Sequence, residues 1–235
     1  MLSQEEQQHL QDYAGTPERL LALRAACLLR DRHRCVVSRA FDEAGAITRF
    51  KGQGLAVDDD GDPLIDTDTY QYVKVAHIIP YFLTRAEDGR IDEPKKAAIN
   101  ILNMFDLGVA HLIEGPDMNR PYNAITLSLE MHRRFGKYEI FFKSVLPPHT
   151  YRIGSFLPPA LSRLFPITRT LFVHPTVDPP SERLLALHCA IAHILHLSGV
   201  GDYIDKVLKD MEDGMVREDG STELGVLVDL ALKVQ

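Results

Sequence analysis

The spacing of apolar positions divides the chain into helical and extended stretches. Residues 1–15 are polar and rich in Gln and Glu, and are expected to form a frayed tail or a short surface helix. Thr16-Pro17-Glu18 then supplies an N-cap hydroxyl, a proline at the first helical position and an early acid. Leu20, Leu23, Cys27 and Leu28 follow at helical spacing and predict a helix to about His33 with one buried stripe. Arg34 to Ser38 (RCVVS) is apolar and β-branched, a strand or strand-like turn. A further β-rich run, Tyr70, Tyr72, Val73 and Val75, leads into His77, and the turn residue Pro80 follows closely. That places an imidazole where a strand gives way to a loop.

Pro94 to Leu107 predicts a helix, and Gly115 to Pro121 is dense in turn residues. Tyr122 to Leu127 reads as a strand. Ser128 caps a short helix that Gly136 closes, and Tyr138 to Val145 is a further strand. Between Leu146 and Pro180 lie eight of the fourteen prolines, which predicts an irregular wrapping connector. Ser181-Glu182 opens a strong helix to Leu197, Ser198-Gly199 breaks it, and a second helix is expected from about Asp202 to Glu212. The expected division is a tail (1–15), a core (16–145), a proline-rich connector (146–180) and a C-terminal helical segment (181–235) whose hairpin covers the core or builds a homodimer interface. The fold class is α+β.

With 235 residues and 45% hydrophobic content, the chain can bury one sizeable core. It shows no basic, apolar leader and no run of about 18 apolar residues, so the expectation is an intracellular soluble protein with no membrane partner. Cys27, Cys35 and Cys189 form no C-x-x-C pair, which argues against structural zinc and for buried thiols. The acidic loop Asp58 to Asp68 begins like an EF-hand, but Pro63 stands where its glycine belongs and Thr69 where its glutamate belongs. It reads as a solvated loop. His188, His193 and His196 do not converge on a helical wheel and read as surface histidines.

The formal charge of -7 weighs against a nucleic-acid partner, yet its distribution is uneven. Residues 16–52 hold eight basic and four acidic side chains, and 128–169 hold seven and two. These segments form a positive patch if the fold brings them together.

The candidate chemistry lies in three residues: His77 at a strand end, Asn123 at the start of the next strand, and His132 in the short helix after it. Leu129 and Phe135 flank His132 at three-residue spacing, so their shared face is expected to turn inward onto the strands. AHIIP, then Asn123 within NAITLS, then His132 within MHRRF, resembles the HNH endonuclease family with its ββα-metal finger, in particular its fungal branch. The prelude RDRHRCVVS and the closing LLALHCAIAHILHLSG resemble that branch too.

The resemblance implies a ββα-metal core and a metal-dependent endonuclease that hydrolyses phosphodiesters in nucleic acid, DNA in preference to RNA. His77 would be the general base, with Asn123 holding the loop or lending an amide oxygen to the ion. His132 would be the metal ligand, and Arg133 and Arg134 would contact phosphates. The implied ion is Mg²⁺, or alternatively Mn²⁺. Two positions depart from the pattern: Ala76 stands where many relatives carry a second ligand before the base, and Gly136 where many carry Asp. These departures and the acidic charge keep two other readings open, an HNH-like scaffold repurposed for acid–base chemistry on a small molecule at His77, and a catalytically silent binding module.

Overall fold

A computed structural model describes residues 17–52, 54–65, 69–79, 102–104, 106–109, 112 and 118–197. The expected N-terminal tail, most of the 94–107 helix and the 202–212 helix, with the interface drawn from it, lie outside the described residues. The architecture is α+β: α1 (Pro17–Arg30), β1 (Phe41–Asp42), α2 (Glu43–Phe50), β2 (Tyr70–Gln71), β3 (Val73–His77), β4 (Ala124–Ser128), α3 (Leu129–Gly136), β5 (Ile140–Val145), β6 (Thr150–Ser155), β7 (Ile167–Thr170) and α4 (Glu182–Leu197). The chain divides into two compact units, Met1–Ala192 and His193–Gln235. Every residue that builds the candidate site lies in the first.

The central unit is β3, β4 and α3. The two strands pair antiparallel with His77 opposite Ala124 and Val73 opposite Ser128. Beneath α3 lies the main core, in which Phe135, Ile125, Leu127, Ile140, Phe142, Leu184 and Leu187 are buried together. Full burial of a side chain such as Phe135 is worth about 1.5–3 kcal/mol, which suffices to fix the face that an eight-residue helix presents. Only one of the two flanking residues turns inward: Phe135 is buried, while Leu129 at the first turn stays exposed. On the opposite side of the hairpin, Leu23 and Cys27 of α1 pack on Ala124 and Val75. Burial pushes the Cys27 thiol up to about 12, as expected for a packing residue.

Three expectations are corrected or narrowed. The proline-rich stretch is not irregular throughout, because β6 and β7 add to β5 as an antiparallel sheet in the order β5-β6-β7. Its prolines fall in the turns on either side, and Tyr151 and Ile153 alternate inward in β6. Of the two alternatives for the RCVVS segment the structure takes the turn, with one bridge, Arg34 to Phe41.

The third correction concerns His188, which is buried at 2% exposure. Its ring stacks on Phe135 at 3.8 Å and on Tyr138 at 4.6 Å, and its Nε2–H donates to the Phe135 carbonyl at 3.1 Å. A flank position on an apolar helix is enough to bury an imidazole when two aromatic rings supply the walls. His196 is exposed and His193 half-buried.

The acidic loop is not merely solvated. Asp58 pairs with Arg34 at 2.8 Å, Asp59 with His33 and Arg49 at 2.8 Å each, and Asp60 with Arg32. Burial opposes the Asp58 carboxylate, but the Arg34 guanidinium and the backbone N–H groups of Asp60 and Asp62 hold it below the usual range. Much of the positive charge of residues 16–52 is therefore neutralised within the protein.

Candidate active site

His77 ends β3 and is half-buried. Its Nε2–H donates to the Asn119 side-chain oxygen at 3.0 Å, so in the neutral ring Nδ1 carries the lone pair. Burial pulls its pKa below the ordinary imidazole value, and the Asn119 hydrogen bond opposes part of that shift. The ring is thus neutral near pH 7, the protonation state a base requires.

Asn123 fixes the two residues that follow His77. Its backbone carbonyl accepts from the Ile78 N–H at 2.8 Å, and its side-chain oxygen accepts from the Ile79 N–H at 3.0 Å. Its amide Nδ2 donates to the carbonyls of Met118 at 3.1 Å and Ile79 at 3.3 Å. The residue is wholly buried. This is the geometry of a loop clamp, with the amide oxygen turned to backbone.

A second clamp holds the start of β4. Arg30 and Asp31 form a fully buried ion pair at 2.8 Å. Arg30 also donates to the carbonyls of Pro121 at 2.7 Å and Ala124 at 2.8 Å, while Asp31 accepts from the Thr126 N–H at 3.1 Å. These bonds bracket Asn123. Nothing in the spacing of Arg30-Asp31 on the helix α1 marked them as partners of a strand some ninety residues away.

His132 lies on α3, half-buried. Burial and the nearby Lys74 cation keep its pKa below the ordinary value. Strand alternation places Ala76 with Lys74 on one face of β3 and His77 on the other. Among the described residues no hydrogen bond or ring contact joins His77 to His132. Arg133 and Arg134 both turn to Glu130, at 3.1 and 2.6 Å, and Arg134 also donates to the Leu161 carbonyl.

Among the described residues, the positions that the family pattern assigns to the ion carry the His132 imidazole, the Ala76 methyl and the Gly136 hydrogen. Among the described residues no group of three or more His, Cys, Asp or Glu side chains is placed to hold a metal ion. HNH nucleases typically use a divalent ion, and Mg²⁺ is ordinarily held by one or two carboxylates besides its waters and phosphate oxygens. The described residues do not fit a resident ion.

Next to Asn119 lies an open groove of about 350 Å³, lined by Arg19, Ala22, Leu23 and Ala26 of α1 with Asn119 and Pro121. Sequence reading passed over both Asn119 and this groove. The one signal was the position of Asn119 within the turn-rich run before β4.

A strand hairpin crossed by a short helix, with an imidazole at the strand end and another on the helix, defines the class of ββα nuclease folds. Residues 35–143 match the model of a family described as HNH endonuclease. This chain's ββα segment belongs to the HNH endonuclease family; the match assigns no branch within it. No curated protein and no solved structure matches the chain. No helix among the described residues is long and apolar enough to cross a membrane.

Proposed function

We propose that this protein is an endonuclease that hydrolyses phosphodiester bonds, DNA in preference to RNA, with His77 as the general base. The observation that carries the reading is the buried Asn123 clamp, which holds Ile78 and Ile79 and so presents His77 at the end of β3. His77 Nδ1 takes a proton from water as the water oxygen bonds to phosphorus and the ester P–O bond breaks. Asn119 orients the ring.

Asn123 acts here as a clamp and not as a metal ligand. The divalent ion that the family implies, Mg²⁺ or Mn²⁺, would arrive with the substrate, and His132 is the one imidazole offered on its side. Arg133 and Arg134 contact phosphates only in exchange for Glu130.

The test is cleavage of plasmid DNA and single-stranded RNA with Mg²⁺, Mn²⁺ or EDTA, beside His77→Ala and His132→Ala. We expect His77→Ala to lose about 10²–10⁴-fold in rate, and the acid limb of the wild-type pH profile to lie below the ordinary imidazole value. Cleavage that persists in both variants comes from a contaminant, and no cleavage with any metal overturns the reading.

One observation favours a second reading, acid–base chemistry on a small molecule. The groove beside Asn119 has an apolar floor with one guanidinium and one amide, and the ion side lacks its ligands. Saturable binding of a small ligand that His77→Ala leaves intact, without cleavage of nucleic acid, would favour it.

A further inference from the structure

Arg39 and Arg169 come from the two basic segments, one from each, and they meet. Arg169 of β7 donates through Nε to the Val37 carbonyl at 2.8 Å, and Arg39 donates through Nη2 to the Thr170 carbonyl. The bonds cross: each side chain reaches the backbone next to the other. Arg39 also lies with its guanidinium 4.6 Å from the centre of the Phe172 ring, on which Arg32 packs at 4.3 Å. Its backbone sits in the left-handed region at φ 66°, where a residue with a side chain is uncommon. The Cys35 carbonyl accepts from its N–H at 2.9 Å, and its own carbonyl accepts from Arg34.

The charges around this pair do not balance. Arg32 and Arg34 each have an aspartate, Asp60 and Asp58. Among the described residues the Arg39 and Arg169 side chains hydrogen-bond only to carbonyl oxygens and make no ion pair, and Arg39 Nη1 is buried without a partner. Burial, and then the Arg169 cation, lower the pKa of Arg39, so the two guanidiniums are close enough to repel. Among the described residues the Arg169 side chain makes no other hydrogen bond, which leaves both its terminal nitrogens to a ligand. Asp31, a carboxylate that acts on Arg39, is tied into the buried Arg30 ion pair, so these two pre-oriented guanidiniums, neither with a salt-bridge partner of its own among the described residues, match the paired oxygens of a phosphate.

We propose that Arg39 and Arg169 form a phosphate-binding site, occupied by the phosphodiester backbone of the nucleic acid. The choice of backbone over free phosphate rests on the nuclease reading, whereas the site itself does not. Neither residue takes part in the His77 arrangement, so the site positions the strand without contacting the reacting bond.

The test is fluorescence anisotropy of a labelled short duplex with the full chain across a series of KCl concentrations, for wild type, Arg169→Gln, Arg39→Gln and the double variant. Each single substitution should weaken binding and reduce the slope of log Kd against log salt by about one. Arg169→Lys, which keeps the charge and loses the fork, should fall between. Thermal melting identifies variants that fold, and a folded double variant with wild-type affinity and slope overturns the proposal.

A second arm uses wild type alone, so that misfolding of a variant does not decide the outcome. Inorganic phosphate should raise Tm above that in chloride at matched ionic strength. Stabilisation by phosphate without duplex binding assigns the site to free phosphate and overturns the backbone assignment. Absence of both effects overturns the site. His77→Ala should bind the duplex as wild type does, so loss of the cleavage reading and loss of this site are separate results.

Discussion

The two sides of the ββα unit are built to different standards. On the base side, the loop after His77 is held by Asn123, the imidazole by Asn119, and the start of β4 by the Arg30–Asp31 pair, all through short bonds in buried or half-buried surroundings. On the ion side stand one half-buried imidazole, a methyl group and a glycine, with the Lys74 cation close by. Presentation of the base and ligation of the ion are therefore separable in this chain. On the proposed reading the first is fixed by the described residues, and the second is left to whatever arrives with the substrate.

The largest expected effect tests the base side. Asp31→Ala leaves the Arg30 charge buried without its partner and strips the Thr126 N–H of its acceptor, which should cost about 3–5 kcal/mol. Asn123→Ala leaves the buried Ile79 N–H unsatisfied and should cost about 1–3 kcal/mol for that group. Urea unfolding measures both. Wild-type stability in Asp31→Ala would mean that the base side is no better supported than the ion side.

A slightly smaller effect concerns the anchor of α3. The His188 imidazole is wedged between Phe135 and Tyr138 and bonded to the Phe135 carbonyl, and burial lowers its pKa to about 4 from 6.5. Because the folded value is the lower one, the unfolded chain takes up the proton first. The contribution is complete above pH 6.5, is lost as pH falls from 6.5 to about 4, and changes no further below that. The total is about 3 kcal/mol. His188→Phe should flatten this part of the stability–pH curve, read from urea midpoints at successive pH values. An unchanged curve would show that α3 is not anchored through a neutral imidazole.

The parts that were legible in the sequence are those that local pattern controls. The extent of α4 follows from the Ser181 cap and apolar spacing, and that of α1 from apolar spacing, its expected Thr16 cap lying outside the described residues. The order of β3, β4 and α3 follows from alternation, whereas the expected caps do not hold: the Ser128 side chain makes no cap hydrogen bond, and Gly136 lies inside α3 with Lys137 at its C-cap. His77, Asn123 and His132 were found as residue types at marked places in those elements. What escaped were partnerships across distance: Asn119 with His77, Arg30 and Asp31 with β4, and the acidic loop with Arg32, Arg34 and Arg49. A charged or amide side chain shows no periodicity that names its partner. Counting prolines also misled, because they fill the turns around β6 and β7 without entering the strands.

The smallest effect sharpens the ion side. His132 and Gly136 are four residues apart on α3 and so lie on one helix face, a spacing at which two side chains share an ion. A Cβ at Gly136 would meet no atom within 4 Å, so Gly136→Asp can be accommodated without displacing a neighbour. A carboxylate near the helix C-terminus opposes the dipole, at a cost of about 0.3–1 kcal/mol in the absence of metal. With Mn²⁺ present that sign should reverse: the variant should bind the ion roughly tenfold more tightly than wild type, equivalent to about 1.4 kcal/mol, and its Tm should rise where that of wild type does not. Calorimetric titration of Mn²⁺ into both proteins decides the matter. Equal affinity would mean that wild type already holds an ion without the residues at 76 and 136, and the contrast between the two sides would fail.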